Sequence, residues 1–402
     1  MDLKRSLEVI RNGVEEIIPE DELIKKFEKS EETGKPLRIK YGIDPTGYDI
    51  HIGHLVPIRK MRDFQDLGHT GIIIIGDFTA QIGDPTGLDE TRKHLTEDEV
   101  KQNAEKYMDQ LYMILDREKT EVRWQSEWFK KMSLEDVINM MSKFTLAQFM
   151  AHETFRRRYE KGLPLSLHEL LYPLLQAYDS VAIEADVELG ATEQKFNILA
   201  GRELQKILGM EQQIAVLSPI LFGINGKEKM SKSLNNYIAV FDTPEDKYGK
   251  VMSIPDSVIL HYFKYATNVQ PEQISKMEQH LKDNSINPMM IKQTLASLIV
   301  EMYHGRGAAQ KAEKHFHKVF AKKEIPDEIT TYKTDKDEIW IVKLLSETGL
   351  VKSNGEARRM IQQGAVSING KKIDDLELNL QVEDGFIIKV GKRRFCKIIK
   401  IS

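Results

Sequence analysis

Hydrophobic and polar positions along the chain change period several times, and those changes mark out its elements. Residues 1 to about 34 follow a helical period. Pro19-Glu20-Asp21 is expected to open a helix whose inner face carries Leu23, Ile24 and Phe27. Leu37-Arg38-Ile39-Lys40-Tyr41 alternates and predicts a short strand, and Asp44-Pro45-Thr46-Gly47 supplies turn formers. His51-Ile52-Gly53-His54 is expected to open a helix continuing through Leu55, Ile58 and Met61. Four consecutive isoleucines, Ile72 to Ile75, lie between glycines. They predict a strand buried on both faces of a parallel sheet, with the preceding helix as its crossover.

The loop that follows, Asp77 to Gly87, is rich in Gly, Asp and Thr at a strand's end, where α/β proteins bind ligands. A helix is expected over Glu97 to Leu115, a strand at Glu121-Val122-Arg123-Trp124, and renewed helix from Leu134. Leu167 to Asp179 reads as a long apolar helix. Tyr172, Gln176 and Asp179 recur on it at four and three, so they share a face, and a bound ligand would satisfy such a buried polar face. Ile183 to Gly190 alternates like a strand and ends in Ala191-Thr192-Glu193-Gln194, just ahead of another helix.

From Thr243 the pattern becomes helical throughout, with segments at Pro244–Met252, Asp256–Tyr265, Pro271–His280 and Pro288–His304. A charged stretch, Lys322 to Glu338, resembles a linker. Beyond it Ser353 and Glu356 suit a capping box, Asn369-Gly370 a hairpin turn, and Phe386–Val390 with Phe395–Ile399 a second hairpin around Gly391. The expected organisation is an α/β parallel-sheet domain at 1–242, a helical domain at 243–321, a linker at 322–339 and a small α+β module at 340–402.

Composition adds little until it is read locally. Apolar residues at 41% and charged residues at 30% of 402 describe an ordinary folded protein, and no run of eighteen apolar residues predicts a membrane span. The N-terminal residues lack the apolar core of a secretory signal, and a single cysteine, Cys396, permits no internal disulfide. Both point to the cytoplasm. Net charge is -4, yet from Trp340 onward twelve Lys/Arg face seven Asp/Glu. Arg358, Arg359, Lys392, Arg393 and Arg394 in this basic tail are candidate RNA contacts. Three more arginines, Arg156 to Arg158, read either as solvated face or as contacts to an RNA backbone.

Two stretches carry candidate chemistry. A strand, a Gly/Pro turn and a helix start put unpaired N–H groups against an anion, and His51 and His54 add neutral hydrogen-bond donors for phosphate. Alone, the pair also suits ordinary surface histidines; a metal is disfavoured because no third Cys or His ligand lies near. The second stretch, Gly226-Lys227-Glu228-Lys229-Met230-Ser231-Lys232-Ser233, describes a mobile loop of concentrated positive charge. Its lysines suit phosphates that move during a reaction.

Together these two stretches resemble the two signature motifs of the class I aminoacyl-tRNA synthetases. Gly42-Ile43-Asp44-Pro45-Thr46, Ile75 to Ala80, Ile82 to Gly87 and Tyr172 to Asp179 extend the likeness to the bacterial tyrosyl-tRNA synthetases over nearly the whole chain. The resemblance implies a Rossmann-like catalytic domain, a helical anticodon-arm domain, a small C-terminal RNA-binding module and a homodimer. It implies L-tyrosine, ATP with Mg²⁺ and tRNA(Tyr) as partners, with no tightly bound cofactor. Carried over residue by residue, Asp179 reads the phenol while Tyr172, Gln176 and Asp84 hold the ammonium. Thr46, His51, Gly53 and His54 meet ATP together with Lys229, Met230, Ser231, Lys232 and Ser233. Asp44, Gln194 and Glu193 complete the amino-acid and ribose pocket.

Three departures stand out. Ala191 and Glu193 occupy positions where the family commonly has Gly and Asp, and Lys40 stands where many relatives carry a tyrosine beside the phenol. Tyr41 is next to it but is expected on the opposite side of the strand.

Overall fold

Ile72 to Ile75 are fully buried, as a strand covered on both faces requires. They belong to a six-stranded sheet in the computed structural model, which describes residues 3–45, 50–84, 96–283, 285–318, 330–391 and 394–401. Its strands are β1 (Glu16–Ile18), β2 (Arg38–Ile43), β3 (Thr70–Ile75), β4 (Thr120–Trp124), β5 (Val187–Ala191) and β6 (Ile214–Ser218), in the order β1-β6-β5-β2-β3-β4. All neighbours run parallel except β1, which pairs antiparallel with β6 at the edge. The order reverses between β5 and β2, so a ligand crevice is expected at the carboxyl ends of these strands.

The crossover from β2 to β3 is the helix Leu55–Asp66, which buries Leu55, Val56, Ile58, Met61 and Phe64 against the sheet. It begins after the histidines. His51–His54 forms a turn instead of the first helical turn, because His51 bridges Ala239 and Ile52 donates its N–H to the Ile238 carbonyl. Pairing with a distant segment thus displaces the helix start by four residues. The long helix expected from Leu167 also starts later, with a 3₁₀ stretch at Leu167–Leu171 and α-helix at Tyr172–Ala182. Pro173 sits in its first turn, where a missing N–H costs nothing. The helix Glu97–Leu111 is shorter than expected but opens on a Thr96/Glu99 capping box.

Within the arginine run Arg156 is exposed and Arg157 half-buried, while Arg158 departs from both readings. It is buried, donates to both carboxylate oxygens of Glu169 and to the Pro164 carbonyl, and so is neither solvated face nor an RNA contact. Planar bidentate pairing lets this guanidinium be buried.

The chain separates into two compact units, residues 1–306 and 307–402. The helices Pro244–Met252, Ile259–Ala266, Pro271–Lys282 and Pro288–His304 fall within the first unit, so the boundary expected at 242 does not separate compact bodies. In the second unit β7 (Thr330–Thr334), β8 (Glu338–Trp340), β9 (Val366–Ile368), β10 (Lys371–Ile373), β11 (Asn379–Gln381), β12 (Ile387–Val390) and β13 (Arg394–Lys400) form two sheets. The larger has the order β10-β9-β12-β13-β7 and packs on helices Ile341–Glu347 and Asn354–Gln362 through Leu344, Leu345, Ala357, Ile361 and Ile388. Asn369 and Gly370 both have positive φ, giving the tight turn between β9 and β10 that their sequence predicts. The expected linker overlaps this module: β7 and the start of β8 lie within residues 322–339, and residues 322–329 lie outside the described residues.

Candidate active site

The carboxyl ends of β2, β3, β5 and β6 open into one cavity of about 580 Å³. Its lining includes Asp44, His51, Gly53, His54, Asp84, Tyr172, Gln176, Asp179, Glu193, Gln194, Lys229, Met230, Ser231, Lys232 and Ser233. Every candidate substrate-site residue from the sequence except Thr46 is therefore in one place; Thr46 lies outside the described residues.

At one end sits Asp179, buried on the helix Tyr172–Ala182. Gln125 donates to its Oδ2 at 2.8 Å and the Trp128 indole donates to its Oδ1 at 3.1 Å. The orientation of Gln125 is set by its own Oε1, which accepts from the Thr79 backbone N–H at 3.0 Å, so the amide must turn its NH₂ toward Asp179. Burial pushes the Asp179 carboxyl up to about 7; Lys40, Gln125 and Trp128 pull against that rise, and Glu188 adds to it. Gln125 and Trp128 were not singled out from the sequence. Their one signal is position, immediately beyond a predicted strand, where α/β sheets place ligand-binding groups.

Asp44 stands between the ends of the cavity. It accepts from Thr79 Oγ1 at 2.6 Å and from the Tyr172 hydroxyl at 2.9 Å. A side chain at residue 76 would put its Cβ 2.1 Å from Asp44 Oδ1 and 2.3 Å from Thr79 Oγ1, so only glycine lets these groups meet. Gln194 donates to Asp84 Oδ2 at 2.7 Å and accepts from Asn197.

The histidine end is built differently. The rings of His51 and His54 stack with centroids 3.6 Å apart, and the His51 backbone N–H donates to His54 Nδ1 at 3.3 Å. His54 Nδ1 is thereby an acceptor, which leaves Nε2 to carry the proton of the neutral ring. Burial, the neighbouring His54 and Lys232 push His51 down to about 2. His54 is lowered by its depth in the cleft and by Lys232 and Lys229; its ring is open to water within the cleft, which tempers that effect. Both imidazoles are neutral hydrogen-bonding groups at pH 7. His51 Nδ1 has no partner among the described residues.

The main chain of the lysine loop makes contacts with neighbouring segments. Asn236 accepts from the Ser231 N–H and donates to the Lys229 carbonyl, Met230 donates to Leu221, and Lys229 bridges Phe222. Lys229 pairs with Glu193 at 3.0 Å, and Lys232 Nζ lies 3.4 Å from the Tyr107 hydroxyl.

Lys40 points away from this end. It is fully buried against Glu188 and the helix carrying Asp179, whereas Tyr41 lines the cavity, as strand alternation requires. In the C-terminal module Arg358 and Arg359 are exposed, and Arg358 lies over the Trp340 ring at 5.4 Å. Arg394 is turned inward to the Leu350 carbonyl and Glu356, while Lys392 and Arg393 lie outside the described residues.

Comparison with known proteins identifies the family. Residues 32–321 match the family described as tRNA synthetases class I (W and Y), and residues 321–398 match the tyrosine--tRNA ligase SYY-like C-terminal domain. The chain is 51% identical to the tyrosine--tRNA ligase of Carboxydothermus hydrogenoformans, covering 99% of this chain and 98% of that protein. It is 46% identical to that of Thermotoga maritima, covering 98% and 97%. A solved tyrosyl-tRNA synthetase from Archaeoglobus fulgidus, complexed with L-tyrosine, shares the fold at a TM-score of 0.62 and 23% identity, over 78% of this chain and 100% of that one. With both the two-motif cavity and the C-terminal module accounted for, the chain belongs to the class I tRNA synthetases, in the tyrosine--tRNA ligase family.

Proposed function

We propose that the cavity activates L-tyrosine with ATP and then transfers the tyrosyl group to the 3′-terminal adenosine of tRNA(Tyr). One observation carries this reading: a buried carboxylate with fixed donors and a pair of neutral histidines beside two lysines line the same cavity. In the first step a tyrosine carboxylate oxygen attacks the α-phosphorus of ATP, and the bond to pyrophosphate breaks. The attacking group is already an anion, so no general base is needed, and catalysis is positioning plus stabilisation of charge.

Asp179 accepts the phenolic proton's hydrogen bond, while Tyr172, Gln176 and Asp84 hold the ammonium end. Thr46, His51 and His54 donate to phosphate oxygens, and Lys229 and Lys232 neutralise the departing pyrophosphate. Asp44, Gln194 and Glu193 shape the amino-acid and ribose pocket. Mg²⁺ enters as part of the MgATP substrate, held mainly by phosphates and water. In the second step a ribose hydroxyl of the tRNA attacks the tyrosyl carbonyl carbon, AMP leaves and the hydroxyl proton goes to solvent.

Two further features support the wider reading. Leu134, Ile138 and Met141 are exposed at four and three along one helix, an apolar stripe suited to a second copy of the chain. An Ile138→Asp variant is expected to sediment as a monomer; an unchanged dimer would place the interface elsewhere. The exposed Arg358 and Arg359, with the neighbouring basic tail, suit tRNA. No helix among the described residues is long and apolar enough to cross a membrane; the reading assigns the enzyme to the cytoplasm. The decisive experiment is amino-acid-dependent exchange of pyrophosphate into ATP. Exchange with tyrosine and far less with phenylalanine or tryptophan is expected, and exchange with tryptophan alone would refute the assignment.

A further inference from the structure

Beneath the Asp179 end lies a fully buried ion pair that the reaction does not use directly. Lys40 on β2 reaches Glu188 on β5 at 2.9 Å, both side chains being essentially inaccessible to water. Desolvating two charges is costly, and a pair of well-packed apolar residues is often no less stable, so stability alone is a weak reason to keep them. The contacts indicate a different reason. Lys40 Nζ donates to the Gln176 carbonyl at 2.8 Å and to Ser180 Oγ at 2.8 Å. Glu188 accepts from the Gln176 side-chain amide at 3.1 Å, and from Ser180 and Gln213 on its other oxygen. The pair therefore grips Gln176 at both its main chain and its side chain.

We propose that Lys40 and Glu188 are positioning residues for tyrosine recognition, locking Gln176 in the cavity wall and setting a buried positive charge behind Asp179. The inference rests on the reading of the cavity as a tyrosine site. Its physical logic is that one helix face carries both Gln176 and Asp179, three residues apart, and the pair anchors that face from behind. Lys40 also acts on Asp179 through space, favouring its ionised form against burial. Lys40 thus supports the phenol end without touching it, from a position where many relatives present a tyrosine hydroxyl.

The test is steady-state pyrophosphate exchange on the full chain for Lys40→Met, for the charge-free pair Lys40→Met/Glu188→Gln and for Ser180→Ala. The double variant should raise KM for tyrosine about tenfold and lower the tyrosine-to-phenylalanine ratio by a similar factor, while KM for ATP stays within about twofold. Lys40→Met alone should be worse, because Glu188 is left beside Asp179 without its counter-charge. Ser180→Ala, a change small enough to fold, should raise KM for tyrosine about two- to threefold with ATP unaffected. Unchanged tyrosine parameters in the variants that fold would overturn the proposal, and so would parallel losses for tyrosine and ATP that track lowered thermal stability. If the wild-type protein itself fails to exchange with tyrosine, the parent reading falls and not merely this one.

Discussion

The two ends of the cavity solve opposite problems. At the Asp179 end the polar groups interlock: Gln125 and Trp128 hold the carboxylate, Thr79 holds Gln125, and Lys40 with Glu188 holds the helix face behind. At the lysine end Lys229 rests on the partly exposed Glu193, and Lys232 makes a long contact to Tyr107. A group that must distinguish a hydroxyl from a hydrogen needs to be fixed before the substrate arrives, since flexibility would let the wrong ligand be accommodated. Groups that follow a departing pyrophosphate need long, flexible side chains. On the proposed reading, the interlocked groups serve specificity and the long lysine side chains serve the chemical step.

That contrast is broken most severely at Lys232. Lys232→Ala should slow adenylate formation about 10²- to 10³-fold, the scale for losing one charge-stabilising donor, with tyrosine affinity nearly unchanged. Single-turnover measurements check both, and normal adenylate formation would remove Lys232 from the phosphate role. At the other end Asp179→Asn should lower discrimination of tyrosine over phenylalanine about 10- to 100-fold. Comparing exchange with the two amino acids checks this; an unaltered ratio would leave Asp179 with no part in reading the phenol.

The smallest effect sharpens the comparison through pH. Because the Asp179 carboxyl is raised to about 7, kcat/KM for tyrosine should climb through that pH to a plateau, and Asp179→Asn should flatten the climb. His51 and His54 are shifted the other way and remain neutral across the window. The same shift sets the sign of a stability effect. Between the ordinary carboxyl value of 3.8 and about 7 the folded state holds a proton that the unfolded state has released. Asp179 therefore makes stability fall as pH rises through this window, with no further change from this group above it. Denaturant unfolding at pH 5 and pH 8 should show a drop in the wild type that is smaller in Asp179→Asn.

Much of this site was legible in local spacing. Tyr172, Gln176 and Asp179 announced a shared face at four and three, and four isoleucines announced the central strand. What stayed hidden depends on partners distant in sequence. The His51–His54 stretch reads as helix because its apolar spacing continues into Leu55 and Ile58; its pairing with residues 238–240 makes it a turn. Gln125 and Trp128 acquire meaning only once β4 is placed beside β3. The Lys40–Glu188 pair needs β2 and β5 to be neighbours, a pairing that no local pattern encodes. Ile214–Ser218 is a short apolar run that periodicity alone cannot assign, and its five buried positions became clear only in the sheet. The charged segment before Trp340 looked like a linker because β7 is mostly exposed, and its value lies in pairing with β13.

That pairing has a consequence for how the C-terminal module is made. β13 lies between β12 and β7 in the larger sheet, although β7 precedes it by some sixty residues in sequence. Until the Arg394–Lys400 segment has emerged from the ribosome, β7 lacks the one neighbour it has in that sheet among the described residues, and β12 has one open edge. A chain interrupted just short of it would leave the larger sheet split, with β7 parted from the β10-β9-β12 group. β13 is therefore the strand on which completion of the larger sheet depends, joining the earliest strand of the module to its later hairpin.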